Sequence, residues 1–404
     1  KVDNDDSLIP GGRYHHRRDY MNFPKLKRSD LLYSKNDPLL IPGLSLEKSL
    51  FKAIEKKDYL LYTPYHSFSY IIKFLREAAL DPGVSLIKIT IYRLSKISNV
   101  ARALINAAKN GKKVLVQIEL QARFDETNNI IYAEQMQSAG VELIFGIPGL
   151  KVHSKICVIE KTINNKRKRF GFISTGNLNE DTAKVYTDYT LFTSNQKILR
   201  DVNKVFNFLQ VHYKLKKYKH LIVSPHYTHN AIVKLIDNEI KNKKLGLSSG
   251  IKLKLNAITN FSMINKLYEA SNAGVNIKMI VRGICCLVPG VKGMSENIEV
   301  ISVVDKFLEH SRVYSFNNGG NEKIFISSAD FMTRNIENRV EVATPIYDMS
   351  LQKEIIDVFE IIWNDNIKGR RLNYERQNEF IMNKKKPTRS QFEIYEYYKN
   401  KSCS

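Results

Sequence analysis

Apolar residues along this chain recur in two matching series of short runs and helical stripes. Residues 46–54 and 67–80 space their apolar positions three and four apart, which predicts helices with one buried face. Residues 87–94 form a β-rich run, 100–109 a helix that stops at Asn110-Gly111, and 113–120 a strand. A further helix is predicted up to Ala139-Gly140, then a strand over 141–145. The order returns in the second half: a strand over 251–258, a helix over 261–273 closed by Gly274, and strands over 275–281 and 298–303. Strands alternating with helices predict α/β sheets, one per repeat. Turn signals at Pro10-Gly11-Gly12 and Pro42-Gly43 set residues 1–45 apart as the end of a preceding domain and a linker. The division expected is 1–45, 46–215 and 216–404. The join falls near 214–225, and a basic tail at Lys384-Lys385-Lys386-Pro387 leads into a helical pattern over 390–399.

Both series end on the same motif. His153-Ser154-Lys155 opens a strand over 156–159, and His310-Ser311-Arg312 opens one over 313–316. Each is answered by a small polar turn, Ser174-Thr175-Gly176-Asn177 in the first half and Ser327-Ser328-Ala329-Asp330 in the second. A lone histidine in such a place is more often a satisfied core residue. Its repetition predicts a duplicated unit that brings two histidines to one site, an arrangement suited to moving a phosphoryl group through imidazole. Strand alternation predicts that His153 and Lys155 share a face, so that a phosphate on Lys155 lies beside the ring. Arg312 repeats that spacing beside His310, and Asn177 and Ser174 would add neutral donors. The neutral turn suits an unprotonated nucleophile at His153, whereas Glu309 and Asp330 predict a protonated His310. Arg334, Arg339 and Glu341 either line the site or pair with one another.

Charge narrows the partner. Lys and Arg number 63 against 41 Asp and Glu, a formal net charge of +22, which calls for a polyanion: nucleic acid, an anionic membrane surface or polyphosphate. His15-His16-Arg17-Arg18 reads as a solvated basic loop or a phosphate-facing strap. The scattered aromatics form no stacking series for single-stranded nucleic acid, so no specific nucleic-acid partner is expected. The four cysteines have no metal-ligand spacing, which predicts a reduced, cytoplasmic protein. No apolar stretch reaches the roughly 18 to 20 residues of a membrane span. The chain opens Lys1-Val2-Asp3 without Met, and it is expected to be part of a longer protein.

The His-x-Lys strand with its small polar turn resembles the phospholipase D superfamily, in which two repeats each give one histidine. Glu160 and Asn317 stand where that superfamily has aspartate, which counts against an ordinary phosphodiesterase. Longer strings resemble bacterial polyphosphate kinases of the first family. They include Glu119-Leu120-Gln121-Ala122-Arg123-Phe124-Asp125-Glu126, Pro148-Gly149-Leu150-Lys151-Val152-His153, Tyr186-Thr187-Asp188-Tyr189, Val281-Arg282-Gly283 and Leu308-Glu309-His310-Ser311-Arg312.

The resemblance implies two tandem phospholipase D-like α/β repeats with the active site between them. It implies reversible transfer of the ATP γ-phosphate to the end of inorganic polyphosphate, with ADP as the other product. His153 resembles the histidine that becomes phosphorylated and His310 the second active-site histidine. Tyr186 and Arg282 resemble ATP-contacting positions, and Lys155, Asn177 and Arg312 are expected around the phosphates. Arg93 and Arg123 resemble the arginine pair described with the Mg²⁺ site. Guanidinium has no lone pair to offer, so these two are expected to clamp phosphate oxygens that Mg²⁺ also binds. A homo-oligomer is expected of the full-length protein, and a cytoplasmic location with peripheral contact to the inner membrane as a further option. The competing readings are a phospholipase D-like phosphodiesterase and a non-catalytic polyanion-binding fragment.

Overall fold

The computed structural model describes residues 26–120, 126–213, 216–375, 377–382 and 386–403; Arg123, His15-His16-Arg17-Arg18 and Lys384-Lys385 lie outside them. The first half runs α1 (Leu50–Lys56), β1 (Tyr59–Thr63), α2 (Ser69–Leu80), β2 (Val84–Ile91), α3 (Asn99–Lys109), β3 (Lys113–Ile118), α4 (Glu126–Ser138) and β4 (Glu142–Phe145). It continues with β5 (Lys151–Val152), β6 (Lys155–Ile163), β7 (Lys166–Ser174), β8 (Tyr186–Thr193) and α5 (Gln196–Gln210). The second half runs β9 (Ile222–Val223), α6 (Thr228–Lys244), β10 (Ile251–Leu255), α7 (Phe261–Asn272), β11 (Ile277–Val281), β12 (Ile298–Val303), β13 (Leu308–Glu309) and β14 (Arg312–Phe316). It ends with β15 (Lys323–Ser327), α8 (Thr333–Glu337), β16 (Arg339–Val340), β17 (Val342–Pro345), α9 (Met349–Trp363), β18 (Gly369–Leu372), β19 (Asn378–Phe380) and α10 (Ser390–Cys403).

The duplication is explicit in the sheets. The order β8-β7-β6-β2-β3-β4 in the first is matched by β17-β15-β14-β10-β11-β12 in the second. In both, the strands on the β2 or β10 side of the crossover helix pair in parallel and the histidine-bearing hairpins pair antiparallel. The crossover helices match as well. Ser98 caps α3 by accepting from Ala101 N, and Asn260 caps α7 by accepting from Met263 N. Both close on a glycine in the left-handed region, Gly111 (φ +76°) and Gly274 (φ +84°). Between β6 and β7, Asn164 and Asn165 take φ of 49° and 59°, the tight hairpin turn that asparagine tolerates, and Arg169 behind it pairs with Glu160 at 2.9 Å.

The halves are not separate. One apolar core joins Leu60, Tyr62 and Tyr189 of the first sheet to Val313 and Ile326 of the second, under Ile394 and Tyr398 of α10. Another joins Ile156 and Val202 to Val340 and Val342. Pro38–Ser404 accordingly groups as one compact unit. The expectation of one sheet per repeat also needs amending. Strand β13 of the second half adds in parallel to β8 of the first, and β16 of the second pairs in parallel with β5 of the first.

Candidate active site

Those two short cross-pairings build the site. Lys151 and Val152, which lead into His153, lie opposite Arg339 and Val340, which lead into Glu341. Leu308 and Glu309, which lead into His310, lie opposite Tyr186 and Thr187, which lead into Asp188. The two registers are the same, so each half supplies one histidine and the carboxylate for the other half's histidine. His153 Nδ1 lies 2.9 Å from both Glu341 oxygens, and His310 Nδ1 lies 2.9 and 2.8 Å from the Asp188 oxygens. An ionised carboxylate only accepts, so both rings carry their proton on Nδ1. Nε2 of His153 has no hydrogen-bond partner among the described residues and keeps its lone pair.

Each carboxylate is itself held. Asn335 Nδ2 donates to Glu341 at 2.6 Å and Ser328 Oγ donates at 2.5 Å. Thr175 Oγ1 donates to Asp188 at 2.6 Å. Next to Thr175 only glycine fits, because a Cβ on Gly176 would lie 1.9 Å from Asp188 Oδ2. Burial opposes ionisation of both acids, but His153, Lys155 and Ser328 hold Glu341 below its usual range, and His310, Thr175 and Arg312 do the same for Asp188.

The cations lie close behind. Lys155 is 1 % exposed; its ammonium donates to His153 O and sits 5.2 Å over the Tyr92 ring, whose edge meets the His153 ring at 5.1 Å. Burial pushes its pKa well down, and Arg312 and Arg339 push the same way while Glu341 and Asp188 resist. Arg312 donates to Asp330 Oδ2 at 2.9 Å and to His310 O at 2.8 Å, and its Nη1 lies 3.4 and 3.3 Å from the two His310 ring nitrogens. Arg282, at the end of β11, donates to Asn256 Oδ1 and to Glu309 O, and the Tyr186 ring stands 5.2 Å from His310. Arg93, just past β2, is half-buried with its guanidinium 5.5 Å from the Tyr92 ring. Tyr186, Arg282 and Arg312 therefore gather at His310, while Lys155 lies behind His153 and Arg93 meets the Tyr92 ring that also touches His153. A cavity of about 720 Å³ opens beside β5 and β16, lined in part by Glu119, Lys151, Arg334 and Arg339.

Three sequence expectations are corrected. His153 and His310 are not on strands β6 and β14 but in the two-residue gaps before them, so strand alternation does not set their facing; the pairing with the opposite half does. Ser174 is not free to meet a ligand, because its hydroxyl is spent on Tyr189 O, Thr190 and Gly176 N. Asn177 does reach an inner position, with Oδ1 buried and without a hydrogen bond. Glu309 and Asp330 do not protonate His310: Glu309 pairs with Lys254 at 2.9 Å and Asp330 with Arg312. Burial lowers the pKa of both histidines, against Glu341 and Asp188, and takes His153 to about 3. Both rings are therefore neutral at rest near pH 7.

Family models extend the picture. "Polyphosphate kinase C-terminal domain 1" matches residues 49–216 and "Polyphosphate kinase C-terminal domain 2" matches 221–391. The chain belongs to the polyphosphate kinase family. It is 44 % identical over 401 residues to the polyphosphate kinase of Escherichia coli K12, across 98 % of this chain and 58 % of that one. The crystal structure of polyphosphate kinase from Porphyromonas gingivalis superposes with a TM-score of 0.89 at 41 % identity, covering 98 % of this chain and 60 % of that one. Phosphatidylserine synthase from Haemophilus influenzae shares the fold alone, with a TM-score of 0.54 at 12 % identity over 91 % of this chain and 96 % of that one. The chain thus spans under two thirds of the length of its polyphosphate kinase relatives.

Direct Mg²⁺ ligation does not fit the described residues. They hold no group of three or more His, Cys, Asp or Glu placed to bind a metal ion, and the inner carboxylates are taken by His153, His310, Lys254 and Arg312. Arg93 can only donate. The role of Asp188 and the pairing of Glu341 with His153 escape the sequence patterns. The signal available was a single acid in the same place in both repeats, Thr187-Asp188-Tyr189 and Val340-Glu341-Val342, set among residues that fill a core.

Proposed function

We propose that this chain carries the catalytic part of an ATP:polyphosphate phosphotransferase, reversibly passing the γ-phosphoryl group of ATP to the end of inorganic polyphosphate through phosphorylated His153. The observation that carries this reading is His153 itself, with Nδ1–H engaged by Glu341 and Nε2 unengaged. Nε2 attacks the γ-phosphorus; an N–P bond forms as the bond to the bridging oxygen breaks, and ADP leaves with that electron pair. A terminal oxygen of polyphosphate then attacks the same phosphorus and the N–P bond breaks. The ring gains positive charge as it bonds to phosphorus, and Glu341 offsets it. Lys155, Arg312 and Arg282 offset charge on the phosphate oxygens. His310, with Tyr186 and Arg282 beside it, meets the nucleotide's phosphates. Mg²⁺, if it binds with the nucleotide, would supply further positive charge to the phosphates, and Arg93 would add donors to the same oxygens without ligating the ion.

Incubation with γ-labelled ATP and Mg²⁺ tests the reading. Label that is acid-labile and alkali-stable, and absent in His153→Ala, supports it. Full label in that variant on another residue overturns the assignment. An unlabelled parent chain that still binds polyphosphate would favour a polyanion-binding role.

A further inference from the structure

The two histidine segments are not supported alike. The segment before His153 borders the 720 Å³ cavity, where Gly146, Pro148 and Lys151 are among the lining residues. The segment before His310 is backed by the C-terminal helix. Gln391, in the first turn of α10 and 2 % exposed, accepts from Phe307 N at 2.7 Å and donates to Phe307 O at 2.9 Å and to Glu309 Oε1 at 2.8 Å. Its amide thus acts as one more rung beside β13, which by itself has only two paired residues. From Glu309 the chain of contacts goes on: Thr187 Oγ1 donates to Glu309 Oε2 at 3.1 Å and accepts from His310 N at 3.1 Å. Lys254 neutralises the Glu309 carboxylate at 2.9 Å. The helix carrying Gln391 is fixed at its start, where Asp365 accepts from Ser390 N and Oγ, and along its length, where Ile394 and Tyr398 are buried.

We infer that Gln391 is a positioning residue for His310: through Phe307 and Glu309 it sets where the ring stands against Asp188. It touches neither ring nor substrate. The effect on catalysis rests on the kinase reading, but the placement of the ring does not. A buried, fully engaged amide gives more than apolar filling here, because removing it leaves Phe307 N, Phe307 O and a Glu309 oxygen unsatisfied together.

The test uses the full chain with ¹³C-labelled histidine side chains, read by NMR, alongside single-turnover phosphorylation by ATP. In Gln391→Leu the His310 signal should move while that of His153 stays. The phosphorylation rate should fall by at least about tenfold, as one or two lost buried hydrogen bonds would give, with the KM for ATP little changed. Unmoved histidine signals, both moving alike as in general loosening, or an unchanged rate would each overturn the inference. Should Gln391→Leu not fold, Gln391→Glu keeps shape and the acceptor for Phe307 N but opposes the Glu309 carboxylate. In that variant too the His310 signal should move while that of His153 stays, and unmoved signals, or both moving alike, would count against the inference. If the parent takes no label from ATP, the kinase reading falls and the NMR comparison alone decides the role of Gln391.

Discussion

Replacing Glu341 by glutamine isolates the charge that faces His153. Glutamine keeps the shape, and its carbonyl oxygen can still accept from Nδ1. Alanine would be a poorer probe: besides the charge, it would remove the oxygens that accept from His153 Nδ1, Ser328 Oγ and Asn335 Nδ2 and would leave a cavity behind them. What glutamine loses is the charge assistance of two 2.9 Å contacts to a ring that becomes cationic as the N–P bond forms. That loss costs about 1.5 to 3 kcal/mol, so phosphorylation of His153 should slow roughly 10- to 150-fold. The protonation state of the ring does not account for the loss. Glu341 raises the pKa of His153, so its removal lowers that pKa further and leaves the ring neutral at pH 7. Any acid limb of the rate profile should move to lower pH, not higher. Rapid-quench labelling with γ-labelled ATP measures the rate, and thermal melting checks the fold. A rate within about threefold of the parent, with an unchanged Tm, is less than the weakest charge-assisted contact would cost and would refute the role given to Glu341.

Other outcomes follow from the same geometry. His310→Gln should slow labelling while leaving the label on His153, as mapped by mass spectrometry; label moving elsewhere would end the division of labour between the two rings. Gly176→Ala should drive Asp188 aside, lowering stability by about 1 to 3 kcal/mol in denaturant titrations and impairing His310-dependent labelling with it, whereas a silent alanine would place that contact in doubt. Polyphosphate binding should weaken at least about tenfold from low to physiological salt as counterions are released, by analogy with nucleic acid, and a flat affinity would mean that the +22 charge faces another partner.

The repeat was legible because it rests on local signals. Gly111 and Gly274 end equivalent helices, and 298–303 reads as a strand and is one. The strand Tyr59–Thr63 gives no such signal, because five successive buried residues have no period to read. The site was legible only by halves. Both histidines and their following cations are evident in the sequence. Their carboxylates are not, because β5, β13 and β16 are two residues long, too short for any pattern, and each pairs with a strand of the other half. Where a histidine sits just before a strand, the alternation rule has nothing to act on; this is why facing was predicted from Lys155 and found instead to come from Val340, whose carbonyl accepts from the His153 and Ser154 amides at 2.9 Å.

The crosswise strands also bear on how such a chain could arise. A single repeat holds a histidine and a carboxylate, but its own pair cannot meet, since β5 finds its partner in β16 and β13 finds its partner in β8. Two copies of one repeat facing each other about a twofold axis would make both pairs at once, with each contact answered by its mirror role on the other copy. Fusing them in one chain keeps that assembly and frees the two halves to diverge. Here they have done so: the segment before one histidine borders an open cavity, and the segment before the other is backed by a helix with no counterpart among the described residues of the first half.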